Sequence, residues 1–79
     1  MIMIRTINST YSIRAENGRF AITKVEASNA ESTFNAIGQT RYSLSMYVRP
    51  GTYALFDDWR TSKVLAVYEA DELRNNETL

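Results

Sequence analysis

Polar and apolar positions alternate cleanly over two stretches of the chain and crowd together over a third. In the first, Tyr11, Ile13 and Ala15 alternate with Ser12 and Arg14, and Phe20 and Ile22 resume the pattern after Glu16-Asn17-Gly18-Arg19. Strands present every second residue to one face, and Asn-Gly supplies the two positive-φ positions of a type I′ turn. The pattern therefore predicts a β-hairpin with arms Tyr11–Ala15 and Phe20–Glu26, with Glu16 and Arg19 as a cross-strand pair. A short β-prone run, Ile2 to Ile7, precedes it and ends in the polar break Asn8-Ser9-Thr10.

In the second stretch Tyr42, Leu44, Met46 and Val48 fall on one parity, and Arg41, Ser43, Ser45 and Tyr47 on the other. This predicts one strand over 41–49 with a buried and a wetter face. Arg49-Pro50-Gly51-Thr52 then reads as a type II turn, proline presetting φ and glycine taking the positive-φ position. The third stretch, Tyr53 to Tyr68, carries apolar residues on both parities in each of its arms, Tyr53–Phe56 and Val64–Tyr68. A strand covered on both faces reads in this way, so the pair 53–57 and 63–70 is expected at the centre of the fold. With 41–49 it is expected to form a three-strand meander.

Residues 27–40 read two ways. As a helix near 29–37, Ser28 or Asn29 caps the start, Glu31 lies in the first turn, Phe34 and Ile37 share a face, and Gly38 sits past the end. As a strand, Phe34 pairs with Ala36 at period two. The bracketing cap and glycine favour the helix, although Ser32, Thr33 and Asn35 are poor helix formers. The tail 71–79 is polar. The expected fold is thus a β-dominated α+β domain spanning residues 1–79. It is a small antiparallel sheet of five to six strands in a ββ(α)βββ order, curled or barrel-like, with at most one short helix.

Composition narrows the chemistry more than the architecture. The 79 residues contain no cysteine and no histidine. Disulfides and thiolate metal sites are excluded, as is the usual general base. The formal charge is zero but uneven. Residues 1–50 set six cations against three carboxylates, a net +3, and residues 51–79 reverse the count to a net −3. The halves either pair within the sheet or present opposite potentials to a charged partner. The opening Met-Ile-Met-Ile is too short for a signal-peptide core or a membrane span, and it leaves the native start open between Met1 and Met3. The chain is expected to be soluble and cytoplasmic, with no membrane association.

The sharpest local feature is the loop Asp57-Asp58-Trp59-Arg60-Thr61-Ser62-Lys63, which holds the only tryptophan. Tryptophan and arginine are the residues most enriched at binding hot spots. Trp59 equally suits a cap over the core, with Arg60 covering it or pairing with an aspartate. Asp57 and Asp58 lack a third ligand at any recognised spacing, and neighbours on a strand point apart, so turn chemistry is expected there rather than a metal. No serine or threonine has a base to activate it, so no catalysis and no cofactor are expected. Tyr11, Phe20, Tyr42 and Tyr47 interleaved with Arg14, Arg19, Arg41 and Arg49 form the pattern of a small β-barrel that stacks single-stranded nucleic acid, though the net charge argues against it.

These residues point to a non-catalytic module that docks on a macromolecular partner, most simply a protein, as an inhibitor or regulator. Its contact set is expected to comprise Asp57, Asp58, Trp59, Arg60 and Lys63, joined by Arg41 and Tyr47. Chains of this length that stand alone are often inhibitors carried by phages or mobile elements, acting in the host cytoplasm, an expectation from size and from no residue. Single-stranded nucleic-acid binding is the alternative, together with self-assembly, such as a homodimer through a free sheet edge.

Overall fold

The structure, a computed structural model, describes residues 1–27 and 37–70. They form seven strands: β1 (Ile2–Thr6), β2 (Ser9–Glu16), β3 (Arg19–Ala27), β4 (Thr40–Ser43), β5 (Met46–Val48), β6 (Ala54–Phe56) and β7 (Val64–Glu69). Five of them make an antiparallel sheet in the order β4-β3-β2-β1-β7, and β5 and β6 form a separate hairpin. The described residues are all-β and contain no helix. The helix expected near 29–37 lies outside them except for Ile37, which stands in a turn with Gly38. The tail 71–79 also lies outside.

The β2–β3 hairpin forms as its sequence dictates. Asn17 and Gly18 adopt φ of 56° and 79°, and the ladder runs from Glu16↔Arg19 through Ile13↔Ile22 to Ser9↔Ala27. Asparagine tolerates the left-handed region and glycine enters it without strain, which is why this dipeptide closes the turn. The arms are longer than expected, and a bulge between Thr10 and Tyr11 lets Tyr11 face Lys24. Flanked on both sides, β2 is the centre of the sheet.

The central place and the meander expected for the C-terminal strands are overturned, whereas the Arg49–Thr52 turn forms with Gly51 at positive φ. The strand pair 53–57 and 63–70 is not central: β6 belongs to the hairpin, and β7 pairs with β1 at the sheet edge. The apolar residues on both parities of β7 mark an edge strand, with Leu65, Val67 and Tyr68 all exposed. No three-strand meander forms, because the chain over 41–49 breaks into β4 and β5. Its predicted faces fail at the break: Ser43 is buried, whereas Tyr42 and Leu44 are exposed, Leu44 at 75%. Past the break Met46 and Val48 turn inward and Tyr47 outward, as expected. The sheet is neither closed nor curled. A barrel would need its end strands to pair, but β4 stops at Ser43 and the chain leaves to cover a face of the sheet.

That face is the core. Ile4, Tyr11, Ile13 and Ile22 from the sheet pack with Ala54, Phe56, Trp59 and Val64, and Ile2, Phe20, Met46 and Val48 close around them. Truncating a buried isoleucine removes transfer free energy and leaves a cavity. Ile22→Ala, at a residue only 1% exposed, is expected to lower the free energy of unfolding by about 2–5 kcal/mol. Leu44→Ala is expected to change it by no more than about 0.5 kcal/mol, as for most surface substitutions. Urea denaturation measures both, and equal losses would mean that the assigned faces are wrong.

Candidate docking surface

The β5–β6 hairpin holds its outer face by fastening both ends. Gly51, at φ 91°, closes the Arg49–Thr52 turn, and the Thr52 amide donates to the Arg49 carbonyl at 3.3 Å. The turn is then fixed to the start of β7. Gly51 N–H donates to Val64 O at 2.9 Å and Val64 N–H to Thr52 O at 2.6 Å. At the other end Asp57-Asp58 reverses the chain, the Phe56 amide donating to Trp59 O at 2.9 Å. Residues 59–61 run back along β6, where Leu55 bridges Arg60 and the Thr61 amide donates to Ala54 O.

Period two then sorts the side chains. Met46, Val48, Ala54, Phe56, Trp59 and Thr61 point inward. Tyr47, paired with Leu55, points out, as do Arg49, Tyr53 and Arg60. Two of the outward arginines lie over outward tyrosines: Arg60 4.9 Å from the Tyr53 ring centre and Arg49 5.7 Å from that of Tyr47. A guanidinium over an aromatic face is attracted by the ring quadrupole and held in place. Beside them a cleft of about 430 Å³ is lined by Gly51, Thr52, Tyr53, Arg60, Thr61 and Lys63. Arg49, Arg60 and Lys63 have no ion-pair partner among the described residues.

Of the residues expected to contact a partner, Tyr47, Arg60 and Lys63 are brought to this one region. Trp59 is not on it: at 8% exposure it seals the core, its ring centre 4.7 Å from that of Phe56 and 5.8 Å from that of Tyr11. Arg41 lies over the Trp59 ring at 5.5 Å, half-buried on the core side. Asp58 is exposed in the turn. Tyr53, Leu55 and Arg49 were missed as a set. Reading 53–56 as doubly covered hid the first two, although both share the parity that faces Tyr47 across the Pro50-Gly51 turn.

Asp57 has a structural task. Its carboxylate accepts from the Leu44 amide at 2.7 Å, the Ser45 amide at 3.0 Å and the Ser45 hydroxyl at 2.6 Å. Ser43 Oγ completes the corner, donating to Ser45 O and accepting from the Asp57 amide. The Ser45 hydroxyl and the Leu44 amide, in that order, hold the Asp57 carboxyl below its ordinary value, against a smaller opposing effect of desolvation. Among the described residues no group of three acidic side chains is placed to hold a metal, and no helix is long and apolar enough to cross a membrane.

The platform imagined for stacked bases is dispersed. Tyr11 is buried, Phe20 packs on the core, and Arg19 sits 3.9 Å from the ring centre of Tyr42.

Because the folded-state pKa of Asp57 is lowered, its contribution is fully present above the unfolded-state pKa, near 3.8. It is lost as pH falls through the folded-state value. Asp57→Asn is therefore expected to melt below the wild type at neutral pH, the gap closing as the solution is taken below about pH 4. Melting temperatures of both proteins across that range test it, and a gap that does not change with pH would refute it. No protein-family model, curated protein or solved structure matches the chain, so its function is argued from this surface.

Proposed function

We propose that the protein is a small non-catalytic binding module that docks on a protein partner, as an inhibitor or regulator, through the outer face of the β5–β6 hairpin. One observation carries the reading: Tyr47 and Leu55 stand paired and exposed, flanked by Arg49 on Tyr47 and by Arg60 on Tyr53. Exposed tyrosine and arginine around an apolar pair is the composition of an interface hot spot, where a large contact area is joined to polar donors. The partner would be met in the cytoplasm, the host's if the chain is phage-encoded. Nucleic-acid binding is less well supported, because Tyr11 is buried, Phe20 packs on the core, and the exposed Tyr42 and Tyr47 each have an arginine over a ring face.

Capture of a partner from lysate is expected to survive nuclease treatment. The double variant Tyr47→Ala/Leu55→Ala is expected to weaken that binding by about 2 kcal/mol or more, roughly thirtyfold, with the melting temperature nearly unchanged. Capture that vanishes with nuclease, or that the double variant leaves intact, would count against the reading.

A second reading has its own observation. β7 is an edge strand whose Leu65, Val67 and Tyr68 are exposed. With Ala70 N–H donating to Met1 O, the alternation of an antiparallel ladder turns the backbone groups of Val67 and Glu69 away from β1. No lysine or proline within β7 guards this edge. It supports self-assembly by pairing with β7 of a second copy. Sedimentation over a wide concentration range is expected to show a dimer that Val67→Lys disperses, and a monomer at every concentration would eliminate it.

A further inference from the structure

We infer that the cleft between the 49–52 turn and residues 60–63 is the anion pocket of the docking face, taking a carboxylate-bearing, glutamate- or aspartate-rich segment of the partner protein. The inference rests on the docking reading above and adds the chemistry of what is bound.

Among the described residues the cleft walls hold two cations, Arg60 and Lys63, and no carboxylate. Arg49 shares their outward side. The chain as a whole is neutral, so three cations without an ion-pair partner among the described residues form a local positive excess. Such a field favours an acidic surface and steers its approach. Arg60 is also fixed in place, bridged to Leu55 through the backbone and stacked on Tyr53. A guanidinium so held presents a planar pair of donors that matches the two oxygens of a carboxylate.

The backbone around the cleft argues against phosphate. Phosphate sites gather several free amides into a nest, but three of the amides lining this cleft are engaged. Gly51 N–H donates to Val64 O, Thr52 N–H to Arg49 O and Thr61 N–H to Ala54 O. Thr61 Oγ1 donates to Ser62 O while accepting from the Ala54 amide. The charge offered to an anion is that of the Arg60 and Lys63 side chains. A nucleic-acid strand would also need open rings for its bases, and Tyr47 and Tyr53 each carry an arginine on a ring face. The exposed Tyr47–Leu55 pair beside the cleft instead suits apolar residues between the acidic ones of a protein segment.

The probe is a synthetic peptide of alternating glutamate and leucine, added to the full-length protein and followed by amide chemical shifts and fluorescence anisotropy. Oligothymidylate of equal charge and inorganic phosphate serve as comparators. The peptide is expected to shift amides of residues 49–53 and 60–63, and Arg60→Gln/Lys63→Gln is expected to weaken it about tenfold or more without altering the melting temperature. Shifts elsewhere, equal binding by the double variant, or tighter binding of oligothymidylate or phosphate at the same amides would overturn the pocket. The captured partner separates this inference from the docking reading. A partner lost with Tyr47→Ala/Leu55→Ala but kept with Arg60→Gln/Lys63→Gln leaves the docking face standing and removes the pocket. A partner kept with both removes both.

Discussion

An open sheet with one apolar face must find a cover for it, and among the described residues that cover is a hairpin with three-residue arms. Met46, Val48, Ala54 and Phe56 supply four inward side chains, one of them an alanine. Trp59 makes up the deficit. It folds under the hairpin against Phe56 and Tyr11, and a buried indole removes more apolar area from water than any other side chain the loop contains. The consequences run outward from that burial. With Trp59 inward, period two turns Arg60 outward beside Leu55 and brings Thr61 back in to bond Ala54. The surface that could meet a partner is thus the reverse side of the element that closes the core.

The cover can reach the face only because the chain leaves the sheet sharply after Ser43. At that corner two amides and a hydroxyl converge on Asp57, a charged acceptor, and hydrogen bonds to an ionised group are stronger than neutral ones. The corner inserts two outward residues, Leu44 and Ser45, between inward Ser43 and inward Met46. It also ties the exit from β4 to the end of β6, so both ends of the hairpin are held by contacts distant in sequence. The exposed Leu44 follows from this geometry: its amide is needed at Asp57, and its side chain is left in water.

What the sequence disclosed and what it hid divide along the same physical line. The Asn17-Gly18 and Pro50-Gly51 turns were legible because φ preference is a property of the residues themselves. The inward parity of Met46 and Val48 was legible for the same local reason. The break at 44–45 was not, because its cause is a carboxylate twelve to thirteen positions away. Nor does periodicity say which sheet a strand joins. Val64–Tyr68 reads as doubly buried by pattern, yet it lies at an edge: Val64 reaches the core while Leu65, Val67 and Tyr68 stand half in solvent. At the candidate site Tyr47, Arg60 and Lys63 could be picked out by residue type. Tyr53 and Leu55 needed the hairpin pairing, which places Leu55 opposite Tyr47. The chemistry of Trp59 suits core and contact alike, and three-dimensional packing assigns it to the core.

Rigidity links this architecture to the proposed docking. Binding costs the entropy of ordering interface side chains and loops, and a surface already ordered incurs less of that cost. The walls of the 49–53 and 60–63 cleft are backbone segments fixed to each other and to β7 by hydrogen bonds at Val64. Arginine, otherwise rich in rotamers, is restrained where it lies over Tyr47 and Tyr53. The contacts that stabilise the lid over the core therefore also preorganise its outer face. A chain of 79 residues with a small core has little stability to give up to a mobile binding loop. Placing the candidate contact on the reverse of the lid lets one set of backbone bonds serve both folding and recognition.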